Sequence, residues 1–320
     1  MLSVSRRQAV ACRLAAHHLS ERLPAGSHVQ AARFGLQDSA PRDALLGMHA
    51  RIESCEPDAW QDPRLIQTYS PRAAVYLLPL EDFGVFTIGR LPLDPAARHE
   101  IESAAEDVCR ELNGQEVRGS QGAGRRGACA SGRIAVRWTT SAVYVREVPR
   151  PGADFGEAHT ELCRRHIHAF GPTTPGAFAW WAGLSPPDAR QVWTWLAREL
   201  LPVDFCGHQA WILAEDEPSL RSPPPLPDVR LLVAPDLRLL GQDRTGRFVG
   251  PGLKRHTPAQ DSFHPNGVLA DGQVVGAWGR RGGRVSVKAA GRLPARTRQA
   301  IEAEALSFPV PDASVDIVVS

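Results

Sequence analysis

Apolar and polar positions alternate with helical period near the start of the chain. In "SRRQAVACRLAAHHLSERL", Ala9, Cys12, Ala16 and Leu19 recur at helix spacing, with Ser5 ahead of them as a cap. A second stripe, Ala44, Leu45, Met48 and Ile52, predicts a helix from about Arg42 to Glu53. "AVYLLPLEDF" is an apolar run interrupted by Pro79, expected to be extended and to lead through a turn into another helix. The stretch from Ala96 to Leu112 is helical again. The glycine-rich "NGQEVRGSQGAGRRGACASG" after it carries little pattern and reads as a flexible loop. "RIAVRWTTSAVYVREV" then gives alternating runs, Ile134, Val136, Trp138 and Val143, Val145, Val148, broken near Thr140, which predicts a hairpin.

Residues 157–217 carry the strongest pattern. "EAHTELCRRHIHAFGP" predicts a helix ended by Gly171 and Pro172, "TTPGAFAWWAGLS" a capped short helix with an early proline, and "PPDARQVWTWLARELLPV" a longer one. In the last, Val192, Trp195, Leu196 and Leu200 are expected on the docking face, and Arg190, Gln191, Thr194 and Arg198 on the outward face. Gly207 would turn a small two-stranded wing. This order predicts a winged helix-turn-helix, whose third helix is the one that enters a major groove. "SLRSPPPLPD" is expected to be a linker or stiff strap. Beyond it, "VRLLVAPDLRLLG", "GVLADGQVVGAWGRRGGRVSVKAAG" and the turns at Asp271-Gly272 and Gly282-Gly283 predict a β-meander, closed by the helix "ARTRQAIEAEAL". The fold class is α+β with a sheet-rich C-terminal portion.

With 320 residues the chain can bury substantial cores. The cysteines Cys12, Cys55, Cys109, Cys129, Cys163 and Cys206 have no CxxC spacing and read as reduced thiols in a cytoplasmic protein. Arg13, His17 and His18 interrupt the apolar start that a secretion signal requires, and no window is apolar enough for a membrane span. The expected location is therefore cytoplasmic and, for a DNA-binding protein, nucleoid-associated. Net charge is only +2, and lysine occurs only at Lys254 and Lys288, so any basic face must be local and made of arginine.

The sequence holds no phosphate loop, zinc spacing, GxSxG elbow or dinucleotide fingerprint, which removes the common cofactor enzymes; the expected cofactor and metal content is none. "HTPAQD" pairs His256 with Asp261 in a polar loop, where solvent exposure is the ordinary fate of such a pair. Arg190, Gln191, Thr194 and Arg198 offer phosphate-neutralising and base-reaching groups for DNA, and equally a solvated helix surface. Arg125 and Arg126 in the glycine-rich stretch could track a DNA strand or belong to a disordered basic loop.

Four segments, "GLQDSAPRDALLGMHARI", "AFGPTTPGAFAWWAGLSPPDAR", "VRLLVAPDLRLLGQDRT" and "PNGVLADGQVVGAWGRR", occur in the order found in the winged-helix DNA-binding domain family that includes the AlkZ and YcaQ type bacterial DNA glycosylases. The chain resembles that family from about residue 5 to about residue 293. The resemblance implies tandem winged-helix motifs, with modules at 1–92, 93–150 and 151–218 and a β-rich region at 219–320. It also implies a DNA glycosylase that excises N7-alkylated or cross-linking purines from double-stranded DNA, without membrane or small-molecule cofactor, in DNA repair or self-resistance to genotoxins. In the family a Gln-aliphatic-Gln triplet positions the hydrolytic water. Gln37 matches its first glutamine, whereas Asp38 stands at the aliphatic position and Ser39 at the second glutamine.

Gln37, Asp38 and Ser39 are thus the candidate catalytic residues. Against this, Asp38 or Ser39 would also make an ordinary N-cap for the following helix, with Pro41 in its first turn. Adjacent side chains on extended backbone point to opposite faces, so Asp38 does not automatically join Gln37. The alternatives are a non-catalytic winged-helix protein that binds DNA, as regulator or damage-binding factor, and a scaffold that binds other proteins.

Overall fold

Ser5 starts the first helix by a reciprocal capping box: its hydroxyl accepts from Gln8 N at 3.3 Å, and Gln8 Oε1 accepts from Ser5 N at 2.9 Å. The computed structural model describes residues 1–38, 40, 42–119, 123–139, 142–240, 266–311 and 314–319. The chain opens with β1 (Leu2–Val4), α1 (Arg6–Ala16) and the short α2 (His28–Ala31), followed by β2 (Leu36–Gln37) and α3 (Asp43–His49). Helix α3 stops short of the predicted Glu53, because the next residues turn back to engage Leu23 and the C-terminal region.

After β3 (Leu65–Tyr69) and β4 (Val75–Pro79) come α4 (Phe83–Thr87) and α5 (Pro95–Leu112), the latter capped by Asp94 and closed by Asn113 in the left-handed region. The glycine-rich stretch is not simply a loop. It contains β5 (Val117–Gly119) and α6 (Ala123–Ala128), and Ala128, Cys129 and Ala130 are buried. Small residues anchor it against α5, a signal that periodicity of large apolar residues misses. The predicted hairpin forms as β6 (Ile134–Trp138) and β7 (Val143–Glu147). These strands make one antiparallel sheet in the order β2-β4-β3-β6-β7-β5, so residues from the first and second stretches share a sheet.

Next are α7 (Phe155–Phe170), α8 (Pro175–Ala182) and α9 (Pro186–Trp195), then the hairpin β8 (Leu200–Phe205) and β9 (His208–Leu213). Cys206 and Gly207, with φ of 53° and 82°, form the two-residue turn. β1 pairs in parallel with β8, tying the chain's start to this unit. Three helices followed by a two-stranded hairpin is the order of elements that the sequence predicts here. The docking face of α9 differs from expectation in its details. Ala189, Val192, Trp193 and Leu196 are buried at i, i+3, i+4 and i+7, whereas Trp195 is 42% exposed and Leu200 already belongs to β8.

The C-terminal portion comprises α10 (Glu217–Arg221), β10 (Val229–Leu232), α11 (Ala234–Leu240), β11 (Asn266–Ala270), β12 (Gln273–Arg281), β13 (Arg284–Ala289), α12 (Ala295–Leu306) and β14 (Ser314–Val319). Its five strands lie in sequence order, with β14 parallel to β13 across the α12 crossover. "VRLLVAPDLRLLG", expected within the meander, is half strand and half helix: Ala234 N is held by Asn266 Oδ1 at 2.8 Å, starting α11. No helix among the described residues is long and apolar enough to cross a membrane.

Candidate active site and nucleic-acid surface

Strand β2 is short and edges the central sheet. Its register places Leu36 opposite Leu77 and Gln37 opposite Tyr76 on β4. Gln37 is 5% exposed, and the Tyr76 hydroxyl donates to its Oε1 at 3.3 Å. Gly35 makes this approach possible. Its φ is 79°, and a Cβ there would stand 2.7 Å from Tyr76 Cδ1.

Asp38 turns to the other face. Its backbone N–H donates to Val75 O at 2.8 Å, continuing the pairing with β4. Its carboxylate accepts from Ala44 N at 3.1 Å and from Gln67 Nε2 at 3.1 Å. Gln67 in turn accepts from Trp138 N at 2.7 Å through Oε1, so Asp38 joins β2, α3, β3 and β6. The cap reading of Asp38 is therefore realised in part: the carboxylate satisfies a first-turn amide of α3, although the residue at the N-cap position is Arg42. Burial pushes the Asp38 carboxyl up to about 6, against the lowering pull of backbone amides at Ala44, Asp43 and Arg42 and of the Arg42 charge. Asp43 is likewise raised by burial, to about 7, with Ala40 N bonded to its Oδ2 at 3.0 Å.

Beneath α3, Arg51 bonds Asp236 through Nη1 and Nη2 at 2.9 and 2.8 Å and donates from Nη1 to Gly47 O at 2.7 Å. Both side chains are buried, so the pair clamps α3 to α11. Asp236 thus has a structural place, while Asp243, Arg244, His256 and Asp261 lie outside the described residues. Ser39 also lies outside them.

Of the candidate DNA contacts, Arg190, Gln191 and Thr194 are exposed on α9, and Arg198 is exposed just past its end. Arg126 lies on α6 with its guanidinium 5.3 Å from the Tyr69 ring centroid, whereas the side chain of Arg125 is outside the described residues. Sequence patterns did not single out Tyr76 and Gln67, which look like ordinary strand residues, or the β12–β13 tip, whose "GRRGGR" run was available as a signal. There Arg280, Arg281 and Arg284 are exposed, and the Arg280 charge is felt by Asp43 beside the Gln37 strand. No group of three or more His, Cys, Asp or Glu suited to a metal occurs among the described residues.

A family model described as DNA glycosylase AlkZ-like matches residues 117–308, more than half of the chain. An interstrand DNA cross-link repair glycosylase from Streptomyces sahachiroi is 31% identical over 137 residues, covering 40% of this chain and 37% of that protein. The similarity in sequence thus spans little more than a third of that relative's length. The solved structure of the Streptomyces sahachiroi DNA glycosylase AlkZ superposes with a TM-score of 0.79 over 99% of this chain and 100% of that one, at 21% identity, which is a likeness of fold. The chain belongs to the AlkZ-like DNA glycosylase family.

Proposed function

We propose that this protein hydrolyses the N-glycosidic bond of N7-alkylated or cross-linked purines in double-stranded DNA, with Gln37 orienting the water. The observation that carries this reading is the hydrogen bond from Tyr76 to Gln37 Oε1, which fixes the amide at the end of β2 instead of leaving it to rotate. In the reaction the bond between C1′ and N9 breaks and its electron pair neutralises the cationic purine. The water oxygen bonds C1′ and releases a proton. Alkylation thus supplies a good leaving group, and the protein has to place water and favour the sugar cation as it forms. Asp38 is a structural acid in this reading, because its carboxylate is committed to Ala44 N and Gln67. The exposed arginines of α9 and of the β12–β13 tip supply duplex contacts.

The test is a single-turnover assay on duplex carrying one N7-alkylguanine, alongside a cross-linked duplex, with free base as the readout. Wild type is expected to release base, and Gln37→Ala to bind the duplex without release. The second reading, a non-catalytic DNA-binding protein, draws on Asp38 and Ser39 standing where the family triplet has an aliphatic residue and a glutamine. Duplex binding by wild type with no release on any lesion would favour it.

A further inference from the structure

Most interior arginines of this protein are held by acids or carbonyls. Arg51 bonds Asp236, Arg165 bonds Asp82 and Glu161, Arg22 bonds Glu304, and Arg13 donates to the carbonyls of Gly171 and Pro172. Arg42 and Arg72 are different. Each is half-buried, and each lays its guanidinium over an indole: Arg42 at 3.8 Å from the Trp60 ring centroid, Arg72 at 4.7 Å from that of Trp180. Neither side chain makes a hydrogen bond or ion pair to a described residue. One nitrogen of each, Nη1, is buried without a partner.

Their backbones are unusual in the same way. Arg42 has φ 75° and Arg72 φ 60°, followed by Ala73 at 54°, in the left-handed region that side chains seldom adopt. Such conformations persist where the surroundings enforce them and cluster at ligand contacts. The two loops concerned meet at the bond between Asp38 N and Val75 O, at the end of the strand that carries Gln37.

We propose that Arg42 and Arg72 are phosphodiester-binding residues that hold the DNA backbone beside the nucleotide presented to Gln37. A guanidinium laid over an indole is held in place by that ring, and in these two half-buried arginines it lacks only acceptors. An anion with several oxygens supplies them, and the charge-assisted bonds that result are the strong kind. No carboxylate of a described residue bonds either guanidinium, and the Asp38 charge acts on Arg42 without a bond, so hydrogen-bonding capacity is left for a ligand. The assignment rests on the reading that duplex DNA is the substrate.

The experiment is a methylphosphonate scan. Duplexes carry one neutral phosphate analogue at successive positions around a non-hydrolysable abasic analogue, and binding is measured for wild type, Arg42→Ala, Arg72→Ala and the two lysine variants, with circular dichroism reporting folding. Wild type should lose about tenfold in affinity at particular phosphates. Arg72→Ala should lose a similar factor on unmodified duplex and become insensitive at one of those phosphates, with Arg42→Ala insensitive at another. Each alanine variant should lower the slope of log K against log salt by about 0.9, the value for one phosphate contact. The lysine variants, lacking the fork, should restore the slope but not the full affinity. Should folded alanine variants keep the wild-type scan and slope, this assignment fails while the glycosylase reading stands. Should wild type bind no duplex at low salt, both are overturned.

Discussion

Gln37 and Asp38 are consecutive residues that face opposite sides of the central sheet, one against Tyr76 and the other against Gln67 and the first turn of α3. On the reading proposed above, the Asp38 carboxylate takes no part in the chemistry and the Gln37 amide takes its orientation from Tyr76. Tyr76→Phe is expected to lower the single-turnover rate of base release about tenfold, the scale on which misorientation of a positioning group acts, while leaving the duplex Kd unchanged. Equal losses in rate and affinity would show that Tyr76 supports the fold around β4 and not the orientation of Gln37.

Asp38 makes a prediction about pH. Its carboxyl is raised to about 6 from an ordinary value of 3.8, mainly by burial. Between those values the folded chain holds more protons than the unfolded one, so this group's contribution to stability is full below about pH 4 and is lost as pH rises through 6. A shift of that size corresponds to roughly 3 kcal/mol. Wild type compared with Asp38→Asn in urea unfolding should accordingly lose roughly 2 kcal/mol of that between about pH 4.5 and pH 7. Asp43 is raised in the same direction, by burial and in part by the Asp38 charge, so the comparison reads the coupled pair. A gap independent of pH would remove the buried ionisation from the account.

Much of this arrangement was legible in the sequence, and the lapses have physical causes. The cap at Ser5 and the capped start of α8 lie where local polarity marks them, and the hairpin of β6 and β7 follows its alternation. Opposite-facing neighbours at positions 37 and 38 follow from strand geometry. By contrast, the burial of Asp38 depends on Gln67 and Ala44, partners from β3 and α3 that no local pattern announces. Trp195 reads as a docking residue only if the helix runs on to Leu200; α9 ends at Trp195, and Trp193 takes the buried position instead. Left-handed arginines at 42 and 72 are set by tertiary contacts and carry no signature in the chain.

Arg51 and Asp236 form the main buried ionic tie between α3 and α11. Removing one partner leaves an uncompensated buried charge, so Arg51→Met or Asp236→Leu alone should cost about 3–5 kcal/mol in urea unfolding. The double variant Arg51→Met with Asp236→Leu should recover most of that loss, since apolar groups of similar volume can replace a buried pair. Additive losses in the double variant would mean that the two side chains stabilise the protein through separate contacts.

Two exposed arginine sets compete as the principal duplex contact, and salt dependence separates them. Arg190 and Arg198 stand on and just beyond α9, while Arg280 and Arg281 stand at the β12–β13 tip, where the charge of Arg280 reaches Asp43. Removing one phosphate-binding arginine from either set should flatten log K against log salt by about 0.9 without changing sequence preference. The Arg280 charge acts on Asp43, at the start of the helix that follows the Gln37 strand, so the tip is the set assigned to the reacting nucleotide. Arg280→Ala is therefore expected to weaken both duplex affinity and the rate of base release at saturation, whereas Arg190→Ala with Arg198→Ala should weaken affinity and leave the saturated rate as in wild type. If the α9 variant alone slows release at saturation, α9 and not the hairpin is the element that presents the lesion.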